Sequence, residues 1–475
     1  YMTNIIKVRD DHSPIKFQQD STDSSRFSLC DEIGCSWLNP NESFSYKELR
    51  TRIEPWLTAL FQSEHLSLLA GSGLTHAVHY LAAEKAATGM NALTLNNFNN
   101  EVNQAAKKSS EATGRKKGNL EDQLRVANEL LRGLEILNDE KATALKKELE
   151  IEMRSFANSI LGSENGIATA NFEKREKAFN ILVTFLMSFA SRTGVRDRLN
   201  IFTTNYDRLI EAGSELAGIH LLDRFLGNLM PIFRSSRLDL DMHYNPPGIR
   251  GEPRYLEGVV RYTKLHGSVD WLQVNKDIRR IGLPFGATSI TPFLEVAGYD
   301  DITPHELMIY PNSAKDQETA NFPYVELFRD LAAAICRPNS TLVTYGYSFG
   351  DDHINRVIRD MLTIPSTHLV IISRDDNMGR IMKLYEELGR NSQISLLIGP
   401  ALADLTNLTQ YYLPKAAIDK TTSRMSELLK QRLPSNQESI ISENLDNKRK
   451  PVTARDRTNG IYPYYGASGI VDYVD

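Results

Sequence analysis

Cysteine is scarce in this chain of 475 residues, which contains only Cys30, Cys35 and Cys336 and no Cys-x-x-Cys pair. Three scattered cysteines exclude a disulfide framework and a four-cysteine structural zinc site. Long apolar runs are also missing, since the longest, residues 181–190, is far below the roughly 18 residues that span a bilayer. No basic and apolar leader opens the chain, so we expect a cytoplasmic protein that does not contact the membrane.

No excess of either charge is present, because 55 basic and 60 acidic residues give a net charge of −5. Without a global positive field, direct binding of nucleic acid is not expected. Hydrophobic residues make up 41% and charged residues 24% of the chain, which excludes collagen-like and largely disordered classes. The length corresponds to roughly three domain-sized units, or to one large domain with insertions.

Short apolar runs alternate with helix-length segments along much of the chain. Strands are predicted over residues 66–70, 200–203, 259–265, 341–345, 368–372 and 394–398. Helices are predicted over residues 75–88, 207–218, 324–336, 353–363 and 378–389. Such alternation predicts an α/β fold with a Rossmann-like, doubly wound and mostly parallel sheet that is covered on both faces.

Composition divides the chain into four predicted segments. The first 42 residues are polar and irregular and are predicted to form an N-terminal extension. A helix is predicted to follow over residues 43–62, with Ser43 as its N-cap. The catalytic α/β domain is predicted to take residues 43–89 and 194–414, with a helical insertion at 90–193 and a polar C-terminal tail at 415–475.

The insertion has a helical apolar period on a charged background. Apolar residues recur at spacings of four and three, namely Leu120, Leu124, Ala127, Leu131 and Leu134. A second amphipathic helix is predicted within residues 172–193, ending before Gly194. The pattern fits a lid over a binding site and a surface for oligomerisation equally well.

The first candidate motif, Ala70-Gly71-Ser72-Gly73-Leu74-Thr75, lies between a predicted strand and a predicted helix. Ligands of doubly wound sheets bind outside the carboxyl ends of the strands. Small residues there let the backbone approach a pyrophosphate, and the first N–H groups of the helix favour an anion. His76 stands where the third glycine of GxGxxG would be, so a plain tight turn explains the motif equally well.

The second motif, Thr203-Thr204-Asn205-Tyr206-Asp207, directly follows another predicted strand. The carboxamide of Asn205 can hold a ribose hydroxyl or position a water molecule. The carboxylate of Asp207 can accept a hydrogen bond from an amide. Capping of the next helix by Asn205 or Asp207 is the simpler alternative.

Two further motifs follow predicted strands, Lys264-Leu265-His266-Gly267-Ser268 and the segment GYSFGDDHIN at 346–355. An imidazole is suited to proton transfer, so His266 is a candidate general base, although a lone histidine is more often structural. Gly346 and Ser348 suit an approach to phosphate or ribose. Asp351, Asp352 and His353 are adjacent on one turn and rarely converge on one ion, so no metal site is predicted.

In this order, AGSGLT, TTNYD, KLHG and GYSF resemble the motif set of the sirtuins over residues 60–90 and 195–410. The variants TNYD and GYSFGDDHIN are more similar to the bacterial sirtuin-like proteins of anti-phage defence than to the protein deacylases. A sirtuin-like chain with a long helical insertion is similar to the subunit that works with a HerA-type ATPase. The chain departs from the deacylases in lacking their four zinc-binding cysteines and in having Thr204 in place of a glutamine.

The resemblance implies an NAD+ hydrolase that releases nicotinamide and ADP-ribose and acts in defence by depleting NAD+. It implies nicotinamide near Asn205 and Asp207, with the C1′ atom of the ribose facing His266. Asn205 is expected to position the water and the ribose, and His266 to act as general base, with Asp207 as the third catalytic candidate. The nucleotide is expected to contact eight residues: Ala70, Gly71, Ser72, Gly73, Thr75, Thr203, Gly346 and Ser348.

Three other functions remain open at this point. An NAD-dependent protein deacylase would use the same chemistry with an acyl-lysine as nucleophile. A non-catalytic module could bind NAD or ADP-ribose. A nucleic-acid-handling role is the weakest alternative and depends on the short basic run at 448–450 and on the tail.

The tail has a second, smaller resemblance, because residues 457–473 are similar to the opening of a target-recognition domain in type I restriction specificity subunits. Because a segment this short cannot bury a hydrophobic core, an aromatic docking strand is the preferred interpretation. Together with the apolar surface of the insertion and the resemblance to HerA partners, it predicts a homo-oligomer larger than a dimer that binds a hexameric HerA-type ATPase.

Overall fold

The computed structural model of the chain describes residues 3–20, 23, 25–30, 35–38, 42–87, 92–112, 120–190, 197–236, 240–244, 254–298 and 322–415. Tyr1–Pro414 form one compact unit and Lys415–Asp475 a second. Apart from Lys415, the second unit lies outside the described residues. The predicted docking segment and the resemblance at 457–473 lie there too.

Most of the described strands belong to one large sheet, and the others form a sheet of two strands and a sheet of four. The strands are β1 (Asn4–Lys7), β2 (Ile15–Gln19), β3 (Arg26–Leu29), β4 (Phe44–Ser45), β5 (His65–Ala70), β6 (Asn200–Thr203), β7 (His220–Leu222), β8 (Phe225–Leu226), β9 (Ile232–Phe233), β10 (His243–Tyr244), β11 (Arg254–Tyr255), β12 (Val259–Lys264), β13 (Trp271–Val274), β14 (Asp277–Arg280), β15 (Ser340–Tyr345), β16 (His368–Ser373) and β17 (Ile394–Ile398).

Helices connect these strands and form the insertion. They are α1 (Tyr46–Phe61), α2 (Ser72–Ala83), α3 (Asn99–Ala112), α4 (Leu120–Ile136), α5 (Lys141–Ala168), α6 (Phe172–Ala190), α7 (Leu209–Leu216), α8 (Thr291–Val296), α9 (Tyr324–Ile335), α10 (Asp352–Met361), α11 (Arg380–Leu388), α12 (Pro400–Ala403) and α13 (Leu405–Asn407), followed by a π-helical turn at Leu408–Tyr412. Within the described parts of the chain, no helix is both long enough and apolar enough to cross a membrane.

The centre of the large sheet is parallel, with strands in the order β17-β16-β15-β5-β6-β12. The chain runs outward from β5 through β6 to β12, and outward again from β15 through β16 to β17. This is the doubly wound order of a Rossmann-like fold, and it confirms the predicted fold class. Strand order reverses between β5 and β15, so a ligand crevice is expected outside the carboxyl ends of these two strands.

The N-terminal extension is part of the sheet, so the prediction that it is irregular is wrong. β1 pairs antiparallel with β17, and β2, β3 and β4 continue the sheet in antiparallel order. Ile6, Ile15 and Phe17 are buried. Strands of four or five residues hold too few apolar positions for the period of two to be recognised among polar neighbours.

Two helices begin at different residues than predicted. The N-cap of α1 is Ser45 rather than Ser43: Ser45 Oγ accepts from Lys47 N at 3.2 Å, and the Glu48 carboxylate accepts from Ser45 N at 2.8 Å. This capping box is stronger than a single cap at Ser43. Helix α2 begins at Ser72, three residues before the predicted start, because its N-terminus lies directly at the glycine turn.

The insertion is helical, as predicted, and it packs firmly against the α/β domain. The periodic residues of α4 are buried in a cluster that includes Tyr206 of the second motif and Val269 and Leu272, which follow the third motif. Helices α5 and α6 both contact α2. The Phe185 ring of α6 lies 5.1 Å from the Tyr345 ring of β15, so α6 covers the sheet directly.

Candidate active site

The four motifs follow four strands that are neighbours in the sheet, in the order β15-β5-β6-β12. Pairing is in register up to the strand ends, with Ala70 opposite both Tyr345 and Thr203, and Thr203 opposite Lys264. The loops that leave these parallel strands therefore lie along one edge of the sheet, at the point where strand order reverses. This placement of the motifs agrees with the predicted strand ends.

The glycines of the first and fourth motifs bring two loops into backbone contact. Gly73 N donates to Gly346 O at 3.0 Å. A Cβ atom on Gly73 would lie 2.5 Å from Gly346 Cα, and one on Gly71 would lie 2.5 Å from Gly346 O. Gly346 itself has φ +61°, which disfavours a side chain. The contact between the loops thus accounts for these glycines without any pyrophosphate.

Polar side chains remain exposed on both loops. Ser72 and Ser348 are exposed, and Ser72 is the first residue of α2, where the helix dipole favours an anion. In this first turn Gly73 N and Leu74 N already donate to Gly346 O and Gly71 O. The guanidinium of Arg380 lies against Gly350, because a Cβ there would be 2.7 Å from its Nη1. This cation, which the sequence analysis missed, adds positive charge close to Ser348. Its sequence position at the start of α11 carries no signal of this proximity.

Asn205 is buried and joins the first two motifs. Its Nδ2 donates to Gly71 O and to Thr75 Oγ1, each at 3.0 Å. Its backbone N donates to Thr203 Oγ1 at 3.1 Å, and Thr203 Oγ1 in turn donates to Ala70 O at 2.9 Å. Because both amide hydrogens are engaged, the side chain can act on a ligand only through Oδ1, as an acceptor.

Asp207 continues the same hydrogen-bond chain. Its Oδ2 accepts from Thr75 Oγ1 at 2.6 Å, and its Oδ1 accepts from Leu209 N at 3.1 Å at the start of α7. Asp207 Oδ1 therefore caps the start of α7, as the helix-capping alternative expects, while Oδ2 binds Thr75. Its catalytic role stays a prediction, and any ligand would have to share it with Thr75 and Leu209.

His266 contacts a residue that the sequence analysis did not assign to the catalytic site. Its Nε2 lies 2.8 Å from Asp351 Oδ2, and the two side chains are 13% and 5% exposed. The centre of the Tyr206 ring lies 6.2 Å from the centre of the imidazole. Gly350-Asp351 before a helix indicates an N-cap, but nothing local in the sequence indicates contact with His266.

An ion pair fastens the insertion to the second motif. The Glu164 carboxylate of α5 accepts from Arg208 N at 2.7 Å and from Arg208 Nη2 at 2.5 Å. Arg208 also donates to Leu283 O and to Pro284 O. Burial disfavours the charged guanidinium, but the Glu164 carboxylate outweighs burial and raises the pKa of Arg208. The insertion is therefore locked to the residue that follows Asp207.

A second buried hydrogen-bond network binds the second motif to strand β12. Lys264, at the end of β12, is 2% exposed and donates to Asp207 O and to Glu211 Oε1, the latter at 3.0 Å. Tyr262 Oη donates to Glu211 Oε2 at 2.9 Å. Burial raises the pKa of Tyr262 well above its usual value, so the phenol remains a neutral donor.

Metal ligands do not gather anywhere in the described parts of the chain: no group of three or more His, Cys, Asp or Glu side chains is placed to hold an ion. Asp351 instead pairs with His266, and Cys336 lies apart from Cys30 and Cys35 in the chain. The expectation that no metal is bound stays a prediction.

Comparison with protein families gives one match: residues 199–391 match the model of the SIR2-like domain. The match includes the second, third and fourth motifs and begins after the first. No curated protein matched the chain. A SIR2-like domain fits an NAD-related activity, and no zinc site accompanies it in the described residues.

The fold and the site define an α/β protein with a Rossmann-like, doubly wound sheet and a cluster of polar groups at its switch point. Within this fold, residues 199–391 are SIR2-like, and a helical insertion precedes them.

Proposed function

We propose that the chain is an NAD+ hydrolase that cleaves NAD+ to nicotinamide and ADP-ribose. The observation that carries the proposal is the fixed carboxamide of Asn205, whose only available group is the acceptor Oδ1. It follows β6, while His266 follows the adjacent parallel strand β12. The SIR2-like match over both residues supports a nicotinamide nucleotide as the ligand.

The reaction breaks the bond between the nicotinamide ring nitrogen and ribose C1′ and forms a bond from a water oxygen to C1′. The departing ring is cationic before cleavage and leaves neutral with the electron pair, so no general acid is required. Positive charge develops on the ribose, as in glycoside hydrolysis. Asn205 Oδ1 would accept a hydrogen bond from the water or a ribose hydroxyl, and His266 would take up the proton.

Groups for the diphosphate lie at the neighbouring loops. Ser72 presents a hydroxyl at the N-terminus of α2, Ser348 presents another on the fourth motif, and Arg380 brings a positive charge close by. A phosphate at this helix N-terminus would gain the helix dipole and the Ser72 hydroxyl, since Gly73 N and Leu74 N already have acceptors. In this proposal Gly71, Gly73 and Gly346 act by holding the loops together.

Hydrolysis is favoured over deacylation by the architecture of the insertion. Deacylase sirtuins carry a zinc-bound domain that helps to form the peptide cleft. Here no cluster of zinc ligands is found in the described residues, and Arg208 and Glu164 bind α5 of the helical insertion to the second motif. The proposal therefore takes water rather than an acyl-lysine as the nucleophile.

The test follows nicotinamide release from NAD+ by purified protein, with and without an acetylated peptide. Asn205→Ala and His266→Ala should each lower turnover by about 10²–10⁴-fold in a protein that still folds. Asn205→Ala should also lower the melting temperature, because it removes the buried hydrogen bonds to Gly71 O and Thr75 Oγ1. The exposed residues Asn377 and His220 supply matched controls, and their alanine variants should keep wild-type turnover. Acetyl-ADP-ribose formed only with peptide would establish deacylation instead, and no turnover under either condition would establish a binding module.

We further propose that this activity serves anti-phage defence in the bacterial cytoplasm by depleting NAD+, in a homo-oligomer that binds a HerA-type ATPase. Exposed apolar side chains on the insertion support an assembly surface, since Ile136, Leu137 and Ile151 are 67%, 77% and 66% exposed. Infected cells with the intact gene should lose NAD+, and cells with Asn205→Ala should keep it. Equal NAD+ levels in both would contradict the defence role.

A further inference from the structure

The contact between His266 and Asp351 joins the third and fourth motifs across the sheet edge. Their strands, β12 and β15, are separated by β5 and β6, a distance of about 14 Å at the usual strand spacing. The loops that follow β12 and β15 therefore carry the two side chains toward each other, and they meet at 2.8 Å. Such a long-range contact is not explained by the local structure of either loop.

Asp351 is held rigidly by its own helix. Its Oδ1 accepts from His353 N at 2.9 Å and from Ile354 N at 3.4 Å, which caps α10. Its main-chain oxygen accepts from Asn355 N at 2.9 Å and from Tyr347 Oη at 3.3 Å. One carboxylate oxygen thus serves the helix, and the other faces the imidazole.

This arrangement determines which nitrogen of His266 carries the proton. A carboxylate that accepts two backbone N–H bonds is stabilised in its ionised form, and an ionised carboxylate can only accept. Nε2 of His266 must then donate, which leaves the lone pair of the neutral imidazole on Nδ1. When Nδ1 takes up a proton, the imidazolium is stabilised by the same carboxylate, as in other His–Asp pairs.

We propose that Asp351 is a positioning residue that holds His266 in the Nε2–H tautomer, so that Nδ1 is the general base. The proposal builds on the function given above, in which a proton passes from a ribose hydroxyl or water to His266. Asp351 touches neither the nucleotide nor the water in this role and acts through the imidazole alone.

Asp351→Asn is the decisive variant, because asparagine caps helices about as well as aspartate. The amide oxygen would keep the bonds to His353 N and Ile354 N, and the NH2 group would face Nε2. His266 would then have to accept at Nε2 and move its proton to Nδ1. We expect kcat to fall by about 10²-fold with KM within about twofold of wild type. Asp352→Asn, which makes the same chemical change on an exposed neighbour, should leave both constants unchanged.

A second measurement needs no enzymatic activity. Ring ¹⁵N spectra of histidine-labelled protein at pH 8, with the His266 signals assigned by comparison with His266→Gln, report which nitrogen is protonated. Wild-type protein and Asp352→Asn should show Nε2 protonated, and Asp351→Asn should show Nδ1 protonated. Protonation at Nδ1 in the wild type, or an unchanged kcat in Asp351→Asn, would overturn the proposal. The tautomer result stands even if NAD+ is not the substrate, so failure of the proposed function is recognised separately.

Discussion

Removal of the Glu164 carboxylate should destabilise the protein far more than removal of an exposed charge. Glu164 and Arg208 are 1% and 9% exposed, and each is the other's charge partner. Breaking a buried pair by deleting one member costs about 3–5 kcal/mol, because the remaining charge is left buried. In Glu164→Leu, Arg208 still donates to the carbonyl oxygens of Leu283 and Pro284. We therefore expect Glu164→Leu to lower the free energy of unfolding by about 3 kcal/mol, the lower end of this range.

Urea denaturation of four proteins measures this cost: wild type, Glu164→Leu, Arg208→Met and the double variant. The double variant should recover most of the stability, since two apolar side chains can fill the space without an unpaired charge. Glu54→Leu is the control, because Glu54 pairs with Arg50 at 2.7 Å, and Arg50 is 47% exposed. Loss of that i,i+4 pair should cost about 0.5 kcal/mol or less.

The result that would refute this reasoning is a Glu164→Leu variant that loses less than about 1 kcal/mol, or a double variant no more stable than the single ones. Either would mean that the charges are hydrated or that the carbonyl oxygens alone satisfy Arg208. In that case α5 would not be locked to the second motif through this pair. The insertion would then be free to act as a lid, the alternative left open by its sequence.

Four further outcomes are expected. Gly73→Ala should lower stability by about 1–3 kcal/mol, because its Cβ meets the backbone of Gly346, whereas Gly133→Ala, with open space around its Cβ, should be neutral or stabilising in the same thermal scan. Burial lowers the pKa of His368 from 6.5 to about 4, so the unfolded state takes up a proton first and the free energy of unfolding decreases as the pH falls below 6.5. In urea titrations, the decrease between pH 7 and pH 4.5 should be about 2.5 kcal/mol smaller for His368→Gln than for the wild type. A chelator should change neither melting temperature nor nicotinamide release, and about one tightly bound zinc per chain would contradict this. The molar mass measured by light scattering should exceed that of a dimer, and a value of 53.6 kDa would indicate a monomer. Truncation after Asn447 should abolish capture of the ATPase in a pull-down but leave the homo-oligomer assembled.

The parallel core could be predicted because its strands are buried on both faces. Runs such as residues 341–345 and 368–372 are almost continuously apolar or β-branched, and each is followed by a helix-length segment. Periodicity likewise predicted α4, whose five periodic residues are all buried. The N-terminal strands could not be recognised in this way, because each is short. β1 is stabilised by pairing with the edge of β17, and β2, β3 and β4 by pairing with one another and with β1, rather than by a pattern of their own.

The contacts that shape the site were beyond prediction for a different reason. Asp351 and His266 are 85 residues apart, and Glu164 and Arg208 are 44 apart. Each residue has an ordinary local interpretation, as a helix cap, a lone histidine or a surface charge on an amphipathic helix. Only the strand order brings the first pair together, and only the packing of α5 buries the second. Tertiary contacts of this kind leave no periodic or compositional signal in one sequence.

The glycines of the first motif lie where the sequence predicted them, at the end of β5, but the reason given for them was incomplete. Small residues at the end of β5 predict close approach of a ligand to the backbone, yet the atoms that approach Gly71 and Gly73 belong to the loop of Gly346. Any side chain there would separate the two loops that flank the switch point. Under the proposed function, we expect the exposed hydroxyls of Ser72 and Ser348 to contribute to discrimination among nucleotides. Variants of these serines should then alter KM, while variants of the glycines alter stability.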